Sequence, residues 1–539
     1  MCQVGRELYG PRTIYRKIKQ GSSLSTKDIA IVGMALRVPG ATSLDEFWDN
    51  VTSGRDSLTR PDKGTQERAG LSGRKINDPD HISAKPLLDD FKSFDASFFG
   101  ISDIQAKLLD PTHRIFLECA WEAMEQSGVV PGDVHGTTGV FASVESHYFS
   151  AHLKSANDED PELRVPKRLG TLIDYFALRV SHSLDLKGPS LTALATCSSS
   201  LMAVNLAAQS LRQGKCTTAL AGGARVELPS SPAYKKGVEG MISATGVIRP
   251  FDAEADGTIF GDGAGVLVLK LLDDAIRDGH HIHGIIRGTG FCNDGNPEDK
   301  LSFIAPTQTG QTRAIREALG EAEIDPSTIG FVECHGTGTL LGDPIEIHSM
   351  QEVYSESSET RNDSCAIGSV KGNIGHLGPA AGVVGVIKAC LAMTRNVIPP
   401  MANFSNPNPK IDWAQSHFYV PTQALDWKRN GRPKRAAVSA FGMGGANAHV
   451  VLEEYVGDSQ EATAVTGGQD LLVVSAKTEA ALTRRLSDLA AYCEGHPETA
   501  VSDLAYTLQV GRQAMPFRTQ CTVDSGTLDG CVDQLRAQK

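Results

Sequence analysis

The chain has 539 residues, 40% of them hydrophobic, and a formal net charge of −12. This length exceeds one ordinary domain, and the acidic balance argues against a nucleic-acid-binding protein. The eleven cysteines show no pairing pattern, and there is no signal sequence or apolar run long enough to span a membrane, so we predict a cytoplasmic protein with free thiols and no membrane association.

The N-terminal segment is polar and basic. Residues 1–27 include Arg12, Arg16, Lys17 and Lys19 and end in a Ser-rich run. This composition predicts a linker or docking segment that precedes the folded part of the chain.

A single thiol, Cys197, lies between a strand-like run and a predicted helix. The helix is indicated by apolar residues at helical spacing and ends at Gly214, and the run from Cys216 to Val226 predicts another strand. A thiol at a helix N-terminus lies near the positive end of the helix dipole and near unpaired N–H groups, which favour the thiolate and stabilise an oxyanion. The segment alone is compatible with a nucleophile and equally with a small buried core residue.

Two histidines occur in Gly-rich segments far from Cys197 in sequence. His335 lies in Val332–Ile347, and His376 ends the run that starts at Ser369 and precedes a helix of small residues. Each histidine ends a strand-to-loop segment. Because a thiolate nucleophile needs acid–base groups, these two side chains are candidates for that role.

The C-terminal part follows a second polar break at residues 457–470. A strand is predicted from Leu471 and a helix from about Glu479 to Tyr492. We therefore separate residues 456–539 as a small α/β subdomain.

These segments, in this order, resemble the β-ketoacyl synthase family, and specifically the ketosynthase domain of a modular polyketide synthase, which can belong to a hybrid polyketide and non-ribosomal peptide assembly line. The similarity covers roughly residues 28 to 455. Further motifs support it in chain order: Asp28–Ala35, Phe94–Ser102, Leu109–Ala123, Phe260–Leu269 and Ala437–Glu454.

The residues themselves indicate only an α/β fold with mainly buried strands. The resemblance implies a thiolase-like five-layer αβαβα sandwich of two similar halves, residues 28–278 and 279–455, dimerised through a shared sheet. Residues 456–539 would then match the linker that joins a ketosynthase to an acyltransferase.

The resemblance also implies a Cys–His–His site. Cys197 would accept an acyl chain, and His335 and His376 would serve a decarboxylative condensation with a malonyl-type thioester. Lys371 matches a lysine that pairs with a glutamate at the position of Glu346, and its ammonium would bias the histidines toward the neutral form.

Other residues are predicted to support the site. Asp343 and Asn373 are predicted as supporting residues, and for Asp343 we favour a structural role at a helix N-terminus. The resemblance further implies that the oxyanion is bound by the backbone N–H groups of Cys197 and of Met443, in the loop Phe441, Gly442 and Met443, and that Met443 supplies the gatekeeper side chain.

Thr337 and Thr339 match threonines that line the pantetheine tunnel, although local capping of a Gly-rich turn explains them equally well. One departure concerns Leu194-Ala195-Thr196, which stands where the family usually has Asp-Thr-Ala. This difference puts the substrate range in question more than the catalysis.

We expect no metal and no tightly bound cofactor, because the substrate would arrive on the phosphopantetheine arm of a carrier protein. Expected partners are an acyl carrier protein, or a peptidyl carrier protein upstream, the rest of a polyketide synthase module, and a second copy of the chain. Two alternatives keep the same residues: a Dieckmann-type cyclase and a non-elongating gatekeeping acyltransferase domain.

Overall fold

The computed structural model describes residues 25, 27–68, 70–132, 136–145, 149, 161–228, 231, 233–236, 241–298, 300–357, 359, 364–457, 469–524 and 529–537. Most of the predicted N-terminal linker, residues 1–24, lies outside them. The described chain forms two compact units. The larger contains Ser22–Ala123 and Val134–Tyr455, and the smaller contains Met124–Asp133 and Val456–Lys539.

The larger unit is built on one extensive mixed sheet. The strands of both units, in the main sheet and in three two-stranded ribbons, are β1 Ile29–Arg37, β2 His81–Ile82, β3 Thr138–Glu145, β4 Ser190–Thr192, β5 Thr218–Arg225, β6 Tyr234–Lys235, β7 Gly263–Leu271, β8 Gly284–Asn293, β9 Phe331–Glu333, β10 Cys365–Gly368, β11 Val397–Ile398, β12 Phe418–Tyr419, β13 Leu425–Asp426, β14 Arg435–Gly442, β15 Ala446–Glu453, β16 Gln469–Ala476 and β17 Phe517–Asp524, the last two forming the ribbon of the smaller unit. Within the described residues the main sheet has eleven strands in the order β12-β10-β9-β14-β15-β8-β1-β7-β5-β3-β4.

The strand pairing shows two similar halves. From the middle outwards, β1, β7 and β5 pair antiparallel, whereas β5, β3 and β4 pair parallel. The second half repeats this pattern: β8, β15 and β14 pair antiparallel, whereas β14, β9, β10 and β12 pair parallel. The antiparallel pair β1·β8 joins the halves. The parallel strands β3, β5, β9 and β10 are buried over almost their whole length, as strands covered by helices require, whereas the edge strand β4 is partly exposed.

The helices are α1 Leu44–Thr52, α2 Lys63–Arg68, α3 Gly73–Ile76, α4 Asp103–Leu108, α5 Pro111–Ser127, α6 Arg164–Thr171, α7 Tyr175–Ser183, α8 Ser199–Arg212, α9 Leu272–Arg277, α10 Gln308–Ala322, α11 Gly342–Tyr354, α12 Lys371–Ile374, α13 Ala381–Thr394, α14 Glu479–Gly495, α15 Val501–Val510 and α16 Asp529–Ala537. Among them, none combines the length and the apolar composition that crossing a bilayer requires.

Two helices, α8 and α13, form the central layer. Each contacts strands of both halves, and α13 is buried from Ala381 to Met393. Small residues permit this close packing. A Cβ on Gly382 would lie 2.6 Å from the side chain of Leu201 on α8. Outer helices α7 and α10 cover the far faces, which gives the layers of a thiolase-like sandwich.

The smaller unit has its own apolar core. Strands β16 and β17 pair antiparallel, and α14, α15 and α16 pack around them. The predicted strand at Leu471 and the helix from Glu479 are both present. The core consists of Leu472, Val474, Leu486, Ala490, Cys493, Val501, Leu504, Ala505, Cys521, Val523, Val532 and Leu535.

Candidate active site

The predicted strand, turn and helix around Cys197 are confirmed. Strand β4 leads into a 3₁₀ turn, Thr196–Ser198, and α8 follows directly. Serine side chains fix this turn: the Ser198 hydroxyl donates to the Ala195 carbonyl at 2.7 Å, and the Ala195 N–H donates to the Ser199 hydroxyl at 2.7 Å. The thiol is therefore held at the start of a buried helix.

Burial determines the protonation of Cys197. It raises the pKa of this thiol to about 11, although the Lys371 ammonium and a hydrogen bond from the Met443 backbone N–H lower the pKa. This burial opposes the helix N-terminus, which by itself favours the thiolate. Desolvation in the interior outweighs the helix N-terminus, so that the resting form is the neutral thiol.

The two histidines face each other across the site. Their ring centroids are 5.4 Å apart and the rings are close to perpendicular. In His376, Nδ1 accepts the Gly378 N–H at 3.2 Å, which leaves the proton of the neutral ring on Nε2. The turn Gly378–Ala380 that follows His376 packs on the turn that carries Cys197, so the second histidine and the thiol belong to one site.

Both imidazoles are held neutral. Burial keeps the pKa of His335 and of His376 well below the ordinary value. The Lys371 ammonium is the second cause and lowers both pKa values further. The prediction that this lysine favours neutral histidines is thus confirmed in direction. A neutral imidazole can donate a hydrogen bond from one nitrogen without carrying a charge into the site.

Glu346 holds the His335 loop and does not pair with Lys371. Its two carboxylate oxygens accept the backbone N–H groups of His335 at 2.6 Å and of Gly336 at 2.7 Å. Within the described residues, no ion pair joins Lys371 to Glu346, so the pairing that the resemblance implied is not formed. The two charges still interact at longer range, since Glu346 is among the groups that raise the pKa of Lys371.

Lys371 has a stronger electrostatic partner in Glu333. Burial lowers the pKa of Lys371. The Glu333 carboxylate opposes this shift more strongly than Glu346 does. Glu333 is the last residue of β9, two residues before His335. Its carboxylate accepts the Val370 N–H at 2.6 Å and lies 2.7 Å from the Lys388 ammonium.

The structural role that we favoured for Asp343 is present. Its carboxylate accepts the N–H groups of Phe251 at 2.7 Å and of Gly338 at 3.1 Å, and thereby fixes the Gly-rich loop after His335. Burial raises the pKa of Asp343 to about 6. Asn373 is also buried, and its amide donates to the Arg55 carbonyl at 2.9 Å, which holds the helix of Lys371 in place.

The two threonines lie side by side. The hydroxyls of Thr337 and Thr339 are 3.2 Å apart, and the Thr339 hydroxyl accepts the Gly342 N–H at the start of α11. Local capping therefore explains Thr339, as one of the two sequence-based alternatives stated. Its role toward a pantetheine arm stays a prediction.

The loop between β14 and β15 brings its residues to the nucleophile. The buried Phe441 ring lies 5.9 Å from the His335 ring, and the Met443 side chain is 36% exposed. Gly442 lies so close to the nucleophile turn that a Cβ there would be 2.2 Å from the Thr196 hydroxyl. Only glycine fits at that contact.

Sequence reasoning missed several residues that contact or influence the site. Phe260 stacks on His376 with centroids 4.9 Å apart, and buried Arg225 lies over Phe260 and forms ion pairs with Glu145, Glu227 and Asp262. In the sequence, the feature that points to this cluster is a charged residue, Arg225, at the end of a buried strand. The pairing with Glu333 had no local signal.

Fold and site together define a thiolase-like acyltransferase: two similar α/β halves around a buried thiol and two neutral imidazoles. Family models agree. The beta-ketoacyl synthase N-terminal domain matches residues 26–275, the beta-ketoacyl synthase C-terminal domain residues 283–405, and the ketoacyl-synthetase C-terminal extension residues 407–521.

Relatives and solved structures agree as well. A component of the phenolphthiocerol/phthiocerol polyketide synthase of Mycobacterium tuberculosis is 42% identical over 496 residues, 90% of this chain and 33% of that protein. Polyketide synthase PksN of Bacillus subtilis is 36% identical over 499 residues, 91% of this chain and 9% of that protein. Ketosynthase twelve of the bacillaene polyketide synthase of Bacillus amyloliquefaciens superposes with a TM-score of 0.86 at 34% identity, covering 95% of this chain and 89% of that chain.

The chain belongs to the β-ketoacyl synthase family and is a ketosynthase of the polyketide synthase type, a carbon–carbon bond-forming acyltransferase. It spans a third or less of the length of these two curated relatives.

Proposed function

We propose that Cys197 accepts an acyl chain from a carrier-protein thioester and that His335 and His376 then promote decarboxylative condensation with a malonyl-type carrier thioester. The observation that carries this proposal is the pair of neutral, facing imidazoles beside a buried thiol. Loss of carbon dioxide leaves an enolate, and two uncharged N–H donors stabilise the negative charge that develops on its oxygen.

The steps balance with one proton from solvent, which converts the Cys197 thiolate left by condensation back to the thiol. In acylation, the thioester carbon–sulfur bond breaks, a new one forms to Cys197, and the thiol proton passes to the departing pantetheine sulfur. In condensation, the malonyl carbon–carboxylate bond breaks to release carbon dioxide, and the enolate carbon attacks the acyl-Cys197 carbonyl. The tetrahedral oxyanion then collapses, the bond to Cys197 breaks, and a β-ketoacyl carrier thioester leaves.

The tetrahedral oxyanion would accept the backbone N–H groups of Cys197 and Met443. Support comes from the hydrogen bond of the Met443 N–H to the thiol sulfur, because a donor at the nucleophile is also near the carbonyl carbon that the sulfur attacks. Lys371 would act as a positioning charge, while Glu346, Asp343 and Asn373 hold the loops.

A carrier protein is the proposed partner, and Thr337 and Thr339 the proposed contacts of its pantetheine arm. Their paired hydroxyls suit the arm's amides, and the next two residues, Leu340 and Leu341, are exposed apolar side chains. Exposed apolar side chains beside a site favour a protein partner there. No tightly bound cofactor is required by this chemistry.

We also propose a homodimer within a larger polyketide synthase module, in a reducing cytoplasmic compartment. The dimer is supported by the edge position of β4 in the sheet. The compartment is supported by nine cysteines of the described part that are free thiols. The proposed division stays at residues 28–278, 279–455 and 456–539, the last as a linker subdomain of the kind that joins a ketosynthase to an acyltransferase.

Intact-mass measurement of the protein tests this function. With a panel of acyl-pantetheine thioesters, the wild type should gain the acyl mass and Cys197→Ala should not, because the acceptor sulfur is missing. Addition of malonyl carrier protein should then return the enzyme to its free mass and yield a β-ketoacyl carrier. Cys216→Ala is the matched control and should acylate normally.

Two results would contradict the proposal. If Cys197→Ala were acylated as fully as the wild type, Cys197 would not be the nucleophile. Acylation of the wild type without a β-ketoacyl product would favour the gatekeeping alternative over elongation.

A further inference from the structure

The loop of residues 442–445, here the oxyanion loop, is anchored mainly from its own half of the molecule. Three of its four carbonyls accept donors from the loop itself or from the end of β8. These donors are the Gly445 N–H to the Gly442 carbonyl at 3.0 Å, the Asn293 amide to the Gly444 carbonyl at 3.4 Å and the Asp294 N–H to the Gly445 carbonyl at 2.9 Å.

The fourth carbonyl is bound from the nucleophile turn. The Thr196 hydroxyl donates to the Met443 carbonyl at 3.1 Å. Thr196 directly precedes Cys197, and Met443 supplies the N–H that contacts the Cys197 sulfur. One side-chain hydrogen bond therefore connects the residue before the nucleophile to the residue that would bind the oxyanion.

The contact is maintained at a conformational cost. Thr196 has φ of +50°, a left-handed conformation that β-branched residues rarely adopt. The Ser199 hydroxyl holds this residue by donating to the Thr196 carbonyl at 2.6 Å. On the facing side, the absence of a side chain at Gly442 leaves room for the Thr196 hydroxyl.

The Met443 side chain adds little to this anchoring. It is 36% exposed, so burial of this side chain contributes only part of what a core residue would. The family usually has alanine where this chain has Thr196. The hydroxyl is consequently a feature that the ordinary motif does not supply.

We propose that Thr196 is a positioning residue, whose hydroxyl fixes the oxyanion loop against the nucleophile turn and so sets the Met443 N–H for the tetrahedral oxyanion. This inference rests on the proposed function. It also accounts for part of the unusual Leu194-Ala195-Thr196 sequence, because Thr196 is the residue whose hydroxyl binds the Met443 carbonyl.

The test compares Thr196→Val, which keeps the branched shape but loses the donor, with Thr196→Ser, which keeps the donor. Two rates are measured on each protein: acylation of Cys197 by an acyl-pantetheine thioester, followed by intact mass, and alkylation of Cys197 by iodoacetamide. Alkylation forms no tetrahedral oxyanion. The ratio of the two rates therefore separates oxyanion binding from thiol reactivity.

We expect this ratio to fall about tenfold in Thr196→Val and to change by less than about twofold in Thr196→Ser, since direct loss of an oxyanion donor costs roughly a hundredfold or more and the effect here is indirect. Thr196→Ala gives a second variant without the donor and should behave as Thr196→Val.

Distinct results would overturn the inference. An unchanged ratio in both variants that lack the hydroxyl shows that the contact does not position the loop. An equal fall in Thr196→Ser shows that shape rather than the hydroxyl matters. A wild type that alkylates but does not acylate overturns the proposed function itself, and the inference with it.

Discussion

Cys197, the proposed nucleophile, lies in an environment that opposes its ionisation. Burial raises its pKa to about 11, and the groups that lower the pKa are the Lys371 ammonium, the Met443 N–H and Arg225. A neutral resting thiol is protected from unselective reaction, because the thiolate is the reactive species. The cation at Lys371 therefore links the reactivity of the thiol to the neutrality of both histidines.

Removal of the Lys371 cation should slow the alkylation of Cys197 at every pH. Below its pKa the thiolate fraction rises about tenfold per pH unit, so wild-type alkylation should increase steadily from about pH 7 to pH 9 without a plateau. In Lys371→Met the pKa of Cys197 should rise further, because the lost charge favoured the thiolate. We expect the whole rate profile to drop by about tenfold for each unit of that rise.

Lys434→Met is the matched control, since Lys434 is also buried but pairs with Glu454. Its alkylation profile should overlay that of the wild type. A Lys371→Met profile that also overlays it would show that the ammonium does not act on the thiol.

At the scale of elements, one carboxylate connects the segments that carry the site. Glu333 ends β9 before His335, accepts the N–H of Val370 before Lys371, and pairs with Lys388 on α13, the helix that follows His376. Both members of the ion pair are almost completely buried. Such a pair fixes geometry, although its net stabilisation over apolar residues is small.

The cost of breaking this pair should depend on which residues are removed. Lys388→Met leaves the Glu333 charge buried without its partner, and we expect a loss of about 3 kcal/mol in the free energy of unfolding. Glu333→Gln combined with Lys388→Met should regain most of that loss. Urea unfolding of the single and double variants measures this, and a double variant less stable than Lys388→Met would contradict it.

The sequence predicts local elements well and distant contacts poorly. The strand, turn and helix at Cys197 follow from spacing within about twenty residues, and Gly214, with φ of +67°, ends the helix region as predicted. The pKa of Cys197 and the pairing of Glu333 with Lys388 depend on elements far apart in sequence. Residue pattern alone does not determine how deeply a thiol is buried or which carboxylate faces a lysine.

At the scale of the whole molecule, each half supplies a different part of the proposed chemistry. The first half carries Cys197 on its turn, and the second half carries His335, His376 and the oxyanion loop. A nucleophile and its acid–base groups on separate halves keep their spacing only if the halves are rigidly joined. The central helices α8 and α13 meet this need, because each packs on strands of both halves.

The proposed dimer depends on the edge of the first half. Strand β4 is the last strand of the sheet on that side, and Leu191 within it is 48% exposed. An edge strand with an exposed apolar side chain is suited to pairing with another chain, whereas lysine at such an edge prevents pairing.

Leu191→Lys should therefore convert the dimer to a monomer in size-exclusion chromatography with light scattering. Ile104→Lys, at a position that is 63% exposed on α4, is the matched control and should stay dimeric. A Leu191→Lys protein that remains dimeric would place the interface elsewhere, because a new charge on a paired edge strand would have to be buried without a partner.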